Sequence, residues 1–303
     1  MLKTALCLLA LAFNAPALAA TASSLDQIPG KLKTPEAKAY FDQQMNGAPA
    51  PDALGIHLPS GLTAKAIADL LVPMTDKAPP LLVGAKAWPA RAGSYLAIVC
   101  TGGTGPLGDE PQCGPPQDYD RDPRPLHVYL GLIEMKAGEA PRLIAQSGPV
   151  DGAVSWVRSG LPTQPQVADD AKGAPIVPGK FDGFDLAAYR VAPEAPAFGL
   201  RASWNEAYSG GGATFVSLYL FVIDGDRLRQ VLAAPVFAFV NTAGDWHADQ
   251  TRDHAIIEAA LTLVQSTHGA DDHFDLALES RTSHWRRLYR WSKAAGAYQA
   301  VGR

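Results

Sequence analysis

The sequence predicts a mainly β protein: antiparallel sheets in a sandwich-like arrangement, with an internal duplication and a short helical element near the N-terminus. Three observations predict it. From Leu81 onward, β-branched and aromatic residues come in short runs separated by Gly, Pro and Asp. Those runs are too short for stable helices, and the turn signals between them are wrongly spaced for alternating strand–helix units. One stretch of this pattern also occurs twice.

The chain begins MLKTALCLLALAFNAPALAA. Lys3 precedes an apolar run from Ala5 to Phe13, and small residues follow at Ala17 and Ala19. Residues 1–20 therefore read as a secretory signal peptide, cut near Ala19 or Ala20. Cys7 lies inside the apolar run, too early for a lipid anchor. No later stretch reaches the roughly 18 apolar residues of a membrane span. The mature chain is expected to be soluble and either periplasmic or secreted. Its length of about 280 residues suits one large β domain or two ordinary ones. The formal net charge of −4 gives no general attraction to nucleic acid or acidic lipid. In an oxidising compartment Cys100 and Cys113 are expected to pair. The bridge would close CTGGTGPLGDEPQC and contribute about 3 kcal/mol.

Residues 21–80 read as a leader with short helices, weakly structured up to residue 53. Within it, TPEAKAYFDQQM offers Thr34 as N-cap, Pro35 at the first helical position and Glu36 in the first turn. SGLTAKAIADLLVPM offers Thr63 as cap, a stripe of Leu62, Ile67, Leu70 and Leu71, and Pro73 as terminator. The first β unit spans 81–160. SYLAIVC, LHVYLGLIEM and PRLIAQSG read as strands, the last two joined by a hairpin through KAGEAP. A linker follows at 161–180.

The second β unit spans 181–303, with a C-terminal extension packed on the same fold. Its order of elements repeats the first. AKAWPARAGSYLAIVC matches AAYRVAPEAPAFGLRASW, a glycine-rich loop follows in each, and HVYLGLIEM matches VSLYLFVI. RLIAQSGPV then matches RLRQVLAAPV, each strand ending in Pro-Val. Tyr129 corresponds to Tyr219, and Pro149 to Pro235. Neither copy could bury its apolar face alone, so the two should pack or pair. RDHAIIEAALTLVQST reads as a strand with Ala255, Ile257, Ala259, Leu261 and Leu263 on one face. Its helical alternative is a stripe of Ile256, Ile257, Ala260, Leu261 and Val264. HFDLALES alternates well. WRRLYRWSKAAGAYQAV closes the chain as a hairpin, with Trp285, Leu288 and Trp291 in the core and its arginines outward or on nearby acids.

Two stretches carry candidate chemistry. The first is SWNEAYSGGGATF at 203–215. Its three glycines precede a strand, no GK[ST] follows, and nucleotide loops need a helix start. Ser209 lacks the G-x-S-x-G elbow of a serine nucleophile. The glycines are therefore expected to make a bend or bulge. Loops on a rigid sheet often carry recognition, which makes Asn205, Glu206, Tyr208 and Ser209 binding candidates. Trp204 is expected in the core. The second stretch is GDWHADQTRDHAIIE, with six acids and histidines between Asp245 and Glu258. His247, Asp249, His254 and Glu258 are the candidate metal ligands, yet neither an HExxH nor an EF-hand pattern is present. A solvated loop with Asp–His or Asp–Arg contacts is the plainer expectation, and no cofactor is expected. The reading is an exported soluble binding or accessory protein that recognises a protein or cell-envelope component through loops. The alternative is a hydrolase, metal-dependent in one version, built on residues 245–258.

Overall fold

The computed structural model describes residues 19–102, 112–114 and 125–302. All but the last two residues of the expected signal peptide lie outside these, as does most of the loop between Cys100 and Cys113. The described elements run in the order β1 (Ala20–Ala22), a 3-10 segment (Leu25–Lys31), α1 (Pro35–Asn46), α2 (Ala64–Leu71), β2 (Pro80–Ala87), β3 (Ser94–Thr101), β4 (His127–Glu134) and β5 (Arg142–Gln146). Then come α3 (Gln166–Asp170), β6 (Lys180–Ala192), β7 (Ala195–Tyr208), β8 (Gly211–Asp224), β9 (Arg227–Trp246), β10 (Arg252–Gln265), β11 (Leu276–Ser280), β12 (Arg286–Ser292) and β13 (Ala297–Ala300). The protein is mainly β, with a short helical element at its N-terminal end.

Strands β2 to β5 form one antiparallel meander. Strands β6 to β9 form a second with the same connectivity. The two are joined where β5 meets β9 in parallel, at Gln146 and Arg227. Their inner faces share one core: Leu96, Ile98, Leu130 and Leu132 from the first, and Phe198, Leu200, Tyr219 and Phe221 from the second. The Phe198 and Phe221 rings stack with centroids 5.4 Å apart. Full burial of each such side chain contributes about 1.5–3 kcal/mol. The Tyr219 hydroxyl donates to the Gly152 carbonyl at 2.6 Å, so burial leaves it satisfied. Cys100 and Cys113 are disulfide-bonded, with Cα atoms 5.5 Å apart. Cys113 also bridges to Phe181, fastening the first meander to the second.

The residues matched between the two units do not share roles. Tyr219 faces the common core, whereas Tyr129 faces outward beneath α2. Pro235 does not end a strand: β9 runs through it to Trp246. Proline has no N–H for the ladder, and the β8–β9 register slips at this point, between Val216 and Ser217.

Helix α2 covers the outer face of the first meander. The Thr63 hydroxyl accepts from the Ala66 N–H at 3.1 Å, and Ile67 and Leu71 pack against Ala97, Val99, Tyr129 and Ile133. Just beyond the helix, Asp76 accepts from the Thr101 hydroxyl at 2.6 Å, the Tyr129 hydroxyl at 2.9 Å and the Ala78 N–H at 3.0 Å. His127 Nδ1 lies 3.1 Å away. Burial by itself raises the Asp76 carboxyl, but these hydrogen bonds outweigh it and hold the group well below the usual carboxylate range. The same burial and the Asp76 charge push Tyr129 up to about 12.

The C-terminal strands wrap the other face of the second meander. Strand β10 pairs with β9 up to Ala260 and with β11 from Leu261. It changes face at that changeover. His254, Ile256 and Ala260 are buried on one side, Ala259 and Leu261 on the other, and Ala255 and Ile257 are only half-buried. The single odd-numbered face read from the sequence is thus corrected, because one strand serves two sheets. In the closing hairpin Tyr289 joins Trp291 in the core, and Leu288 is only half-buried. Arg286 pairs with Glu279 and Arg290 with Asp275.

The N-terminal segment is not weakly structured. Strand β1 pairs with β10, and Ile28, Leu32, Ala37 and Phe41 pack against Phe237, Phe239, Ile256 and Ala260. Thr34 caps α1, accepting from the Ala37 N–H at 3.2 Å. Glu258 accepts in turn from the Lys33 N–H and from the Thr34 hydroxyl.

Asp76→Ala is expected to cost about 2–3 kcal/mol at pH 7, because two buried hydroxyls lose their acceptor. Urea unfolding reads this. The folded carboxyl is depressed, so its contribution is present above the unfolded value of about 3.9 and is lost as pH falls below it. The gap between wild type and variant should therefore narrow toward pH 3.

Candidate functional site

One end of the molecule carries a cleft of about 670 Å³. Three segments enclose it: the tip of the β7–β8 hairpin, the tip of the β9–β10 hairpin, and the N-terminal helical element. Tyr40, Phe41 and Phe239 supply apolar lining, with Leu25, Met45 and Trp246 as exposed apolar residues. The polar lining includes Asp26, Glu206, Asn241, Arg252 and His254, beside Ser24, Gln44, Gln250 and Thr251. A volume in this range fits a small ligand or a few residues of chain.

The triple glycine shapes one wall. Gly210 sits in the β7–β8 turn with φ +78°, a conformation that favours glycine. Gly211 follows in β8 against the neighbouring strand: a Cβ there would lie 2.2 Å from the Asn241 carbonyl oxygen. The glycines thus allow β8 and β9 to approach beside a tight turn. The bend read from the sequence is what the structure contains.

Arg252 lies over the opposite hairpin tip. Its guanidinium carbon is 5.1 Å from the Trp246 ring centroid. Its Nε–H donates to the Gly244 carbonyl at 2.8 Å, and Nη1 would stand 2.4 Å from a Cβ on Gly210. The guanidinium is therefore seated between an indole face and a glycine turn. A cation on an indole is worth about 0.5–1 kcal/mol at exposed sites.

His254 is buried, with Nδ1 3.1 Å from the Asn241 side-chain oxygen. That oxygen is an acceptor, so Nδ1 carries the proton of the neutral ring. Burial first, and the Arg252 charge second, hold its pKa below the usual histidine value, against the opposing charge of Asp253. Glu206 accepts from the Gln166 N–H at 2.6 Å, which ties α3 to β7. Burial raises the Tyr208 hydroxyl, and the neighbouring Glu206 adds to the shift.

The sequence-predicted residues divide as follows. Glu206 and His254 line the cleft together with the three glycines. Tyr208 is exposed and stands beside them, its ring 3.0 Å from where a Gly211 Cβ would be. Asn205 lies outside the lining, its side-chain oxygen accepting from the Thr214 hydroxyl. Ser209 is exposed in the turn, and no histidine or carboxylate bonds to it among the described residues. Trp204 is core: its Nε1–H donates to the Val177 carbonyl and its ring meets Trp156.

The candidate metal ligands do not converge. Among the described residues no group of three acids, histidines or cysteines could hold an ion. His247 contacts Asp253 at 2.9 Å, Asp249 accepts from the Thr251 hydroxyl at 2.7 Å, and His254 faces Asn241. Glu258 is committed to the start of α1. Each group serves a different local need, which weakens the metal-dependent version of the hydrolase alternative. Sequence reasoning missed Trp246, Arg252, Tyr40 and Met45. The available signal was the WHADQTR stretch, where a tryptophan and an arginine flank a short turn between two apolar runs.

No protein-family model, curated protein or solved structure matches the chain.

Gly211→Ala is expected to destabilise the fold by about 1–3 kcal/mol through overpacking against β9, seen as a lower midpoint in thermal unfolding. The His254 pKa is depressed in the fold, so below about 6.5 the unfolded chain takes up the proton more readily. His254 therefore contributes a loss of stability as pH falls from 7 to 5. Urea titrations at the two pH values should show a smaller difference in His254→Gln than in wild type.

Proposed function

We propose that the chain is an exported, soluble, non-catalytic binding protein that takes a protein or cell-envelope component at this cleft. The carrying observation is Trp246. It is 67% exposed, on the same cleft as exposed Leu25 and Met45. An exposed apolar group rimmed by polar residues is characteristic of an interaction site. Two hairpin tips on a rigid sheet supply the preformed walls that recognition needs. Tyr208, at the margin, offers large contact area at low entropic cost. The first twenty residues support export, and the disulfide supports an oxidising compartment. The shared connectivity of the two meanders supports an origin by duplication. Dispersal of His247, Asp249, His254 and Glu258 into separate contacts speaks against the metal-dependent hydrolase.

The test is retention of a partner from a solubilised envelope fraction, with the partner identified by mass spectrometry and its affinity then measured. Trp246→Ala and Tyr208→Ser are expected to weaken binding of that partner, the first by tenfold or more, with unfolding midpoints unchanged. Met74→Ala, at a highly exposed residue away from the cleft, should bind as wild type does. Equal binding by Trp246→Ala and wild type would remove the cleft from the account.

A further inference from the structure

We propose that the cleft recognises the C-terminal carboxylate of a peptide chain whose last side chain is apolar. This rests on the binding reading above and adds the chemistry of the occupant. The argument starts at Arg252. Its only side-chain hydrogen bond among the described residues is from Nε to the Gly244 carbonyl, and its ring contact is to Trp246. Neither Nη group has a hydrogen-bond partner there, and no described carboxylate lies within ion-pair distance of the guanidinium. The Nη side is the fork that matches a carboxylate with two parallel hydrogen bonds. Anchored at Nε and held between Trp246 and Gly210, the fork loses less freedom on binding than a loose arginine would.

The surroundings set what must be attached to that carboxylate. Trp246, Met45, Tyr40 and Phe239 line the same cleft and suit an apolar side chain. The rest of the lining distinguishes a peptide from an acyl chain. Asp26 accepts no hydrogen bond from a described residue, and of the Glu206 oxygens only Oε1 is engaged, by the Gln166 N–H. These are acceptors for the N–H groups of a peptide backbone. A hydrocarbon tail would bury them with nothing to donate. One guanidinium fork with acceptors around an apolar lining complements a chain end that carries a carboxylate, amides and a side chain.

The experiment uses the full mature chain and the tripeptide N-acetyl-Ala-Ala-Phe, its C-terminal amide, and decanoate, titrated by NMR. The free acid should bind at least tenfold more tightly than the amide, with the Trp246 indole signal shifting. Arg252→Gln should abolish that preference, and Trp246→Ala should weaken acid and amide alike. Arg252→Lys keeps the charge but not the fork. It should reduce the preference severalfold, and it serves if Arg252→Gln does not fold. Equal affinity for acid and amide, with Trp246 still responding, overturns the carboxylate assignment and leaves the cleft reading standing. Decanoate binding more tightly than the tripeptide acid overturns the peptide assignment. Failure of all three probes to bind overturns the proposal, while retention of an envelope partner through Trp246 would still separate that failure from failure of the binding reading.

Discussion

The architecture depends on the middle of β9 being engaged on every side. The strand is 20 residues long, and residues 237–241 are paired with β8 on one edge and β10 on the other. Its faces are used as well. Ala238 points into the core between the meanders, Phe237 and Phe239 into the N-terminal cluster, and Leu232 and Val236 into the C-terminal sheet. Where both faces and both edges are engaged little surface is left for water, which is why the middle of the strand, VLAAPVFAFV at 231–240, is continuous in apolar residues while its two ends are more polar and more exposed. It tolerates one proline because a bulge absorbs the missing N–H.

The site inherits its rigidity from that strand. Its far end carries Asn241 and Trp246, and the turn after it brings Arg252 and His254 back along β10. The glycine hairpin lies close because β8 is held against β9, with the Asn241 carbonyl in the space where side chains at 211 would stand. No single loop makes the cleft. It exists because two hairpins and a docked helix terminate at the same end of the molecule.

Much of the local structure was legible in the sequence. Thr34 and Thr63 announced their helices because capping is decided within four residues. Cys100 and Cys113 announced their bond by count, and GGG announced a bend because few other residues permit one. Relations over long distances were less visible. The face change in β10 follows from which partner strand lies beside each half, and the alternation of its own residues does not encode that. Glu258 looked like a metal ligand because its real partner, the start of α1, is 225 residues away in sequence. Trp246 and Arg252 were passed over because neither has a motif. What distinguishes them is a shared stacking geometry, to which the tryptophan and arginine flanking the turn in WHADQTR are the one local pointer.

The docking of the N-terminal element onto β9 and β10 has a consequence for how the chain comes together. Its contacts with Phe237, Phe239, Ile256 and Glu258 all lie in the last quarter of the polypeptide. This early-synthesised part must therefore wait until β9 and β10 have been made before it can dock. Leu25, Tyr40 and Met45 belong to that part, so this wall of the pocket needs β9 and β10 in place before it can form. A chain ending before β10 would lack Arg252, His254 and the strand that β1 pairs with, and so would lack two walls of the pocket.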